Sequence, residues 1–252
     1  MTISKVSNTA MRSAARAGLV LISIAASLGV TTHWANALTE YEAKVTCPID
    51  GKQFMATMVA SFYQQGMRLD TKPLGSVIAP YPFPVCPENG FVVYENDFSV
   101  GELAAIKAIV LTDEYRRARS EHTDYYMIAY VEARLGRNSY ELGNMYLRAS
   151  WEAESNKPAL VQQYRTLAVE KFDAFVKDET NPGEDWWVAS VVATELDRLL
   201  GNFGAVNTRL KRLPPALNDN LILVINQIRS HALNHSTIPE NFQVPEGNVE
   251  RF

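Results

Sequence analysis

The chain has 252 residues, with 24 Lys and Arg against 28 Asp and Glu, and only two cysteines. A net charge of −4 with no basic stripe argues against nucleic acid or anionic lipid as partner, since both need clustered cations. The length is enough for a real core, as one large or two small domains.

Residues 1–17 carry Lys5, Arg12 and Arg16 and no acid, and an apolar stretch from Ala17 to Val30 follows. With the small-x-small pattern Ala35-Asn36-Ala37, this reads as a signal peptide over residues 1–37, cleaved after Ala37. The stretch is shorter than the roughly 20 apolar residues of a membrane-spanning helix. No stable span is therefore expected after cleavage; retention as an N-terminal anchor is the alternative. Removal of the segment moves the net charge from −4 to −7. The expected location is the periplasm or the medium.

Residues 38–98 read as a small module rich in turns. Two matching knuckles stand out, Cys47-Pro48-Ile49-Asp50-Gly51 and Cys86-Pro87-Glu88-Asn89-Gly90. The first leads into Gln53–Phe62, which is apolar on both faces and reads as a buried strand. Val85-Cys86 and Phe91–Tyr94 read as the arms of a hairpin around the second. Between them, Leu69 to Pro84 contains four prolines and reads as a long irregular loop.

From residue 99 the apolar period becomes helical. Helices are expected over roughly 100–119, 122–135, 139–155, 158–179, 184–200, 203–213 and 217–233. In the last, Leu217, Leu221, Val224, Ile225, Ile228 and Ala232 share one face. Arg134-Leu135-Gly136-Arg137-Asn138 and Leu199-Leu200-Gly201-Asn202-Phe203 are helix ends followed at once by new amphipathic segments. Glycine past a helix end takes the left-handed cap conformation at little cost and lets the chain turn back. Leu-Gly-Asn-Phe-x-x-Val also reads like the turn of a tetratricopeptide repeat (TPR), with Pro214 closing the unit. Arg116-Arg117-x-Arg119 has acids beside it and reads as a solvated, salt-bridged helix face. His231 and His235 read as a polar helix end. Residues 99–234 form the helical region, and residues 235–252 read as an extended or disordered tail. The fold class is mainly α, with a zinc-ribbon-like N-terminal module before a TPR-like helical domain.

Thr46–Phe54, Tyr81–Phe91, Asn96-Asp97-Phe98 and Leu142–Trp151 together resemble the uncharacterised bacterial family known as domain of unknown function 2225. Its members pair two Cys-Pro-x-Cys-Gly knuckles with a TPR-like helical remainder. The resemblance implies that fold and an ancestral zinc site, and it implies no established activity. This chain departs from the pattern at Asp50 and Asn89, where the second cysteine of each knuckle would stand.

Three chemistries compete for Cys47 and Cys86. A zinc knuckle pair would bring one thiol from each turn together, so oxidation after export would give a disulfide. Zinc held by Cys47, Cys86 and Asp50 lacks a convincing fourth ligand. A redox-active pair lacks the Cys-x-x-Cys arrangement that lowers a thiol pKa. The disulfide is the favoured reading, with no metal and no cofactor.

No nucleophile elbow, phosphate loop or metalloprotease pattern occurs. The functional expectation is therefore an exported, non-enzymatic scaffold that presents its helices to an unidentified protein of the cell envelope. A metal-binding or thiol-active protein using Cys47 and Cys86 is the alternative. Two stacked helical hairpins, 122–155 and 184–213, would leave a concave face lined by the first helix of each. Tyr126, Tyr130, Arg134, Trp187, Thr194 and Arg198 are the candidate partner-binding residues there. Tyr126, Tyr130 and Trp187 could equally fill the core, as aromatics often do.

Overall fold

The computed structural model describes residues 39–61, 63–76, 79–178, 183–213 and 219–243. The signal-peptide segment 1–37, Pro214, Leu217 and the tail beyond residue 243 lie outside the described residues.

Strands β1 (Thr39–Thr46) and β2 (Gln53–Ser61) form an antiparallel hairpin, with Val45 opposite Phe54 and Thr46 opposite Gln53. The first knuckle is the tip of this hairpin. β2 is a strand as expected, but it is not buried: Met55 is 59 % exposed, because no second layer covers a two-stranded ribbon. The segment expected to be an irregular loop contains strand β4 (Pro73–Gly75), which pairs with β3 (Gln64–Met67).

The second knuckle tips a shorter ribbon in which Val85 bridges Val92. The two knuckles repeat one another bond for bond. Cys47 N–H donates to Lys52 O at 2.8 Å, and Cys86 N–H to Phe91 O at 2.8 Å. Gly51 and Gly90 both have positive φ, at 75° and 71°, where a side chain would be strained. Asp50 Oδ1 and Asn89 Oδ1 each accept from the amide two residues on, both at 3.0 Å.

From Val100 to Leu233 the described residues are mainly helical: α1 (Val100–Val110), α2 (Asp113–Glu121), α3 (Asp124–Arg134) and α4 (Ser139–Asn156) come first. A 3-10 turn leads to α5 (Val161–Asp178), then α6 (Glu184–Leu199), α7 (Phe203–Arg212) and α8 (Asp219–Leu233). The single helix expected over 100–119 is two. Thr112 caps α2 by accepting from Tyr115 N–H at 3.1 Å, and Asp113 and Glu114 fill the first turn. Arg116 pairs with Asp113 and Arg119 with Asp124, so the basic run is the ion-paired face that its neighbours suggest.

Both Leu-Gly turns are built alike. After α3, Arg137 N–H donates to Glu132 O at 3.1 Å and Gly136 has φ 81°. After α6, Asn202 N–H donates to Asp197 O at 2.8 Å and Gly201 has φ 80°. This six-to-one closure satisfies the last carbonyls and reverses the chain. Consecutive helices from α3 to α8 pack as neighbours. α4 and α5 approach closely because Gly143 faces Phe172, whose ring lies 2.7 Å from where a Cβ would stand.

The apolar core runs through the module and the helices without a break at residue 98. Cys47, Ile49, Cys86, Phe91 and Val92 share one cluster with Ile106, Val110, Tyr115, Tyr125 and Ile128. Polar ties reinforce it: Tyr115 Oη donates to Gly90 O at 3.1 Å and Tyr125 Oη to Tyr81 O at 2.8 Å. α3 also receives its cap from a neighbour, since Glu152 of α4 accepts from the Asp124 and Tyr125 amides. Burial raises the Glu152 carboxyl above the usual carboxylate range, against the pull of those amides.

The start of the tail is extended, but it is docked. Arg68 and Asn241 form an antiparallel bridge, Phe242 N–H donates to Met67 O and Leu69 N–H to Glu240 O, both at 2.9 Å.

Candidate functional site: a groove beside Trp187

An open groove of about 880 Å³ lies between β3, the first turn of α6, the first turns of α8 and the docked tail. That volume is within the range of ordinary ligand sites. Trp187 and Val188 of α6, Leu221 and Val224 of α8, Met67 of β3 and Phe242 give it an apolar surface. Met67 is 40 % exposed, and Trp187 is half-buried with its ring edge-on to Trp186 at 4.9 Å between centroids. Gln65, Gly66, Glu184 and Asn220 supply the polar groups.

The strand wall has a specific property. At the end of β3 the tail pairs antiparallel with Met67 to Leu69 through one isolated bridge, Arg68 to Asn241. Beyond Phe242 the tail turns to α8, where Gln243 N–H donates to Gln227 Oε1 at 3.0 Å and Gln227 Nε2 donates to Gln243 O at 2.6 Å. The groove continues along β3 past the point where the tail leaves it. Glu184 is the one titratable side chain of the described lining.

The six expected partner-binding residues do not form one concave face. Tyr126 and Tyr130 are half-buried on α3: Tyr126 stacks on His122 at 3.7 Å between centroids, and Tyr130 lies 3.4 Å beneath the Arg134 guanidinium. Arg134 is exposed and reaches Glu114 at 3.0 Å. Burial holds the His122 imidazole below its usual pKa, beside the Tyr164 hydroxyl at 2.9 Å. Trp187 lies apart from these, in the groove.

Thr194 and Arg198 are interior and cannot touch a partner; Arg198 is fully buried. Its guanidinium chelates Glu195, with Nε to Oε2 at 2.7 Å, and donates to the tail carbonyls of Ser236 at 2.7 Å and Ile238 at 3.0 Å. A large polar residue at a core position of a helix is here a clamp for the tail.

A second buried network escaped the sequence. Arg68 grips Asp70 and Glu154 together, Lys72 and Arg165 add to Glu154 at 2.8 and 3.2 Å, and Trp151 Nε1 donates to Asp70 at 3.1 Å. Burial works against the Glu154 charge, but Arg68 and Lys72 outweigh it and hold the carboxyl below the usual range. These residues are spread over α4, α5 and the β3–β4 turn, so no local spacing announces them.

At the knuckles, Cys47 and Cys86 form a disulfide with Cα atoms 5.6 Å apart, both buried. The two departures from the four-cysteine pattern meet one another: Asn89 Nδ2 donates to Asp50 Oδ2 at 3.2 Å. Lys52 and Glu88 pair beside them. Among the described residues no three His, Cys, Asp or Glu side chains are grouped to hold a metal ion, and no helix is long and apolar enough to cross a membrane. No family model, no curated protein and no solved structure matches the chain.

Proposed function

We propose that this chain is an exported, non-enzymatic interaction protein. In this reading a disulfide-closed, zinc-ribbon-like module and a TPR-like layer of helical hairpins, on the plan of the family it resembles, hold the Trp187 groove. The groove takes an extended, apolar segment of a partner protein of the cell envelope. The observation that carries the reading is the strand wall: residues 240–242 bond in strand fashion to Met67–Leu69 at the end of β3, and the groove runs on along β3 at Gln65, Gly66 and Met67. Added strands gain affinity from main-chain hydrogen bonds and specificity from pockets for alternate side chains. Trp187 and Met67 are the side chains such a pocket would use, since aromatics and methionine are enriched where partners bind. A thiol-active or metal-binding role draws less support, because both sulfurs are bonded to each other and buried.

The test selects displayed ten-residue peptides against the purified protein and measures the selected sequences by calorimetry. They should carry apolar residues at alternate positions. Trp187→Ala and Met67→Glu should each weaken them by about tenfold or more, as loss of a central contact does. Peptides bound equally by wild type and both variants would remove the groove from the reading. No enrichment at all, together with turnover of a small-molecule substrate, would overturn the function.

A further inference from the structure

Trp186 and Trp187 point to different places. While Trp187 lines the first groove, the Trp186 indole N–H donates to Val176 O at 3.2 Å and its ring lines a second cavity of about 600 Å³. This cavity is open to solvent and bounded by α5, α6 and α7, and Val176, Ala205 and Leu213 complete its apolar part.

Three features set it apart from an ordinary surface dent. The first is Ser190, on α6 one turn after Trp186. It lines the cavity, is only 6 % exposed, and its hydroxyl has no hydrogen-bond partner among the described residues. A buried hydroxyl without a partner is costly, and a native one calls for an explanation. The second is charge. Lys177 and Arg212 are exposed on the lining, and neither forms an ion pair among the described residues. The third is a fixed guanidinium. Arg209 is held by Asp173 at 2.5 and 2.7 Å and by Asp197 at 2.7 Å, which uses three of its five N–H groups. Asp173 also lines the cavity, and Arg209 with Asp173 and Asp197 carries a net −1, so Lys177 and Arg212 leave these five groups at a net +1 beside an apolar, hydroxyl-floored surface.

We infer that this cavity is a binding site for a small organic anion, an oxyanion head on an aromatic or apolar body. Lys177 and Arg212 meet the head, Ser190 hydrogen-bonds a polar atom of the ligand, and the body covers Trp186 and Leu213. Carboxylate and phosphate heads share this chemistry. The site is separate from the Trp187 groove and stands whether or not that groove binds peptides.

The test is calorimetric titration of the purified protein with phenyl phosphate, phenylacetate, inorganic phosphate and phenol. Phenyl phosphate or phenylacetate should bind one-to-one with Kd below about 1 mM, and the tighter of the two identifies the head group. Phenol and inorganic phosphate should each bind at least about tenfold more weakly, because each lacks one half of the ligand. Lys177→Glu with Arg212→Glu should weaken the aryl anion by about tenfold or more. Ser190→Ala should weaken it by about threefold to tenfold, the share of one hydrogen bond, and should leave the thermal midpoint unchanged or higher. No saturable binding of either aryl anion, or equal affinity in the charge-reversed variant, would overturn the inference. Loss of binding with an early thermal midpoint in Ser190→Ala would also overturn it, since the hydroxyl would then be a structural partner.

Discussion

The knuckle module and the helical region are held together in opposite ways, although they share a core. In the module, few side chains are fully buried, and order comes from a covalent bond and from turns. The disulfide closes two hairpin tips, each fixed by a left-handed glycine and an Asx hydrogen bond. In the helical region, order comes from continuous apolar faces, with buried ion pairs placed where separate segments must be held in register. The difference teaches where each region is vulnerable. A thin module depends on chain connectivity, whereas a thick helical layer depends on the pairing of its few buried charges.

The largest expected effect breaks the module. Cys86→Ser opens a cross-link with a sequence separation of 39, which costs roughly 4 kcal/mol by the chain-entropy estimate. Chemical denaturation should show the loss in the helical circular-dichroism signal too, because Cys86 lies in the same cluster as Ile106 and Tyr125. Alkylation of the wild type without reductant should add no mass. An unchanged denaturation midpoint would mean that the module's turns suffice alone.

Next comes the tail clamp. Arg198→Met leaves the Glu195 carboxylate buried without its partner and frees the Ser236 and Ile238 carbonyls. It should cost roughly 3 kcal/mol, as broken buried pairs do. It should also raise hydrogen exchange at the Leu69 and Phe242 amides, which bond the tail to the end of β3 and the residues just after it.

Glu154→Gln should cost roughly 2 kcal/mol at neutral pH, less than a fully buried pair because the carboxylate is partly exposed. The sign follows from linkage. The folded-state pKa of Glu154 lies below its ordinary value of 4.5, so its contribution is complete above that value. It is lost as pH falls through the depressed folded value. Stability curves of wild type and variant should therefore converge on acidification below pH 4.5 and stay parallel above it. The smallest effect concerns a turn: Gly136→Ala, at φ 81°, should cost about 1 kcal/mol in denaturation, with no change in helix content.

Local chemistry made much of the molecule legible. Gly136 and Gly201 announce their turns because only glycine occupies that conformation freely, and the knuckles repeat the same residue types at the same spacing. Two further local signals lie in the sequence. Thr112-Asp113-Glu114 is a helix start directly after the apolar run Ala108–Leu111, and Glu40-Tyr41-Glu42-Ala43-Lys44-Val45 alternates as strand β1 does.

The candidate site was hardly legible. Trp187 could be named, but its partners Met67, Leu221 and Phe242 come from three distant segments that no period links. Arg198 and Thr194 looked like a binding face because a helix shows from sequence which residues align. It does not show which side will be covered.

The sequence by itself determined the local geometry: the two matched knuckles, the left-handed helix caps and most of the helices. These depend on dihedral preferences and hydrogen bonds within a few residues. Only the tertiary structure decided which charges were buried, where the tail docks and which aromatic side chains line a groove. Those outcomes depend on desolvation and contact between segments up to 170 or so residues apart, as Leu69 and Glu240 are.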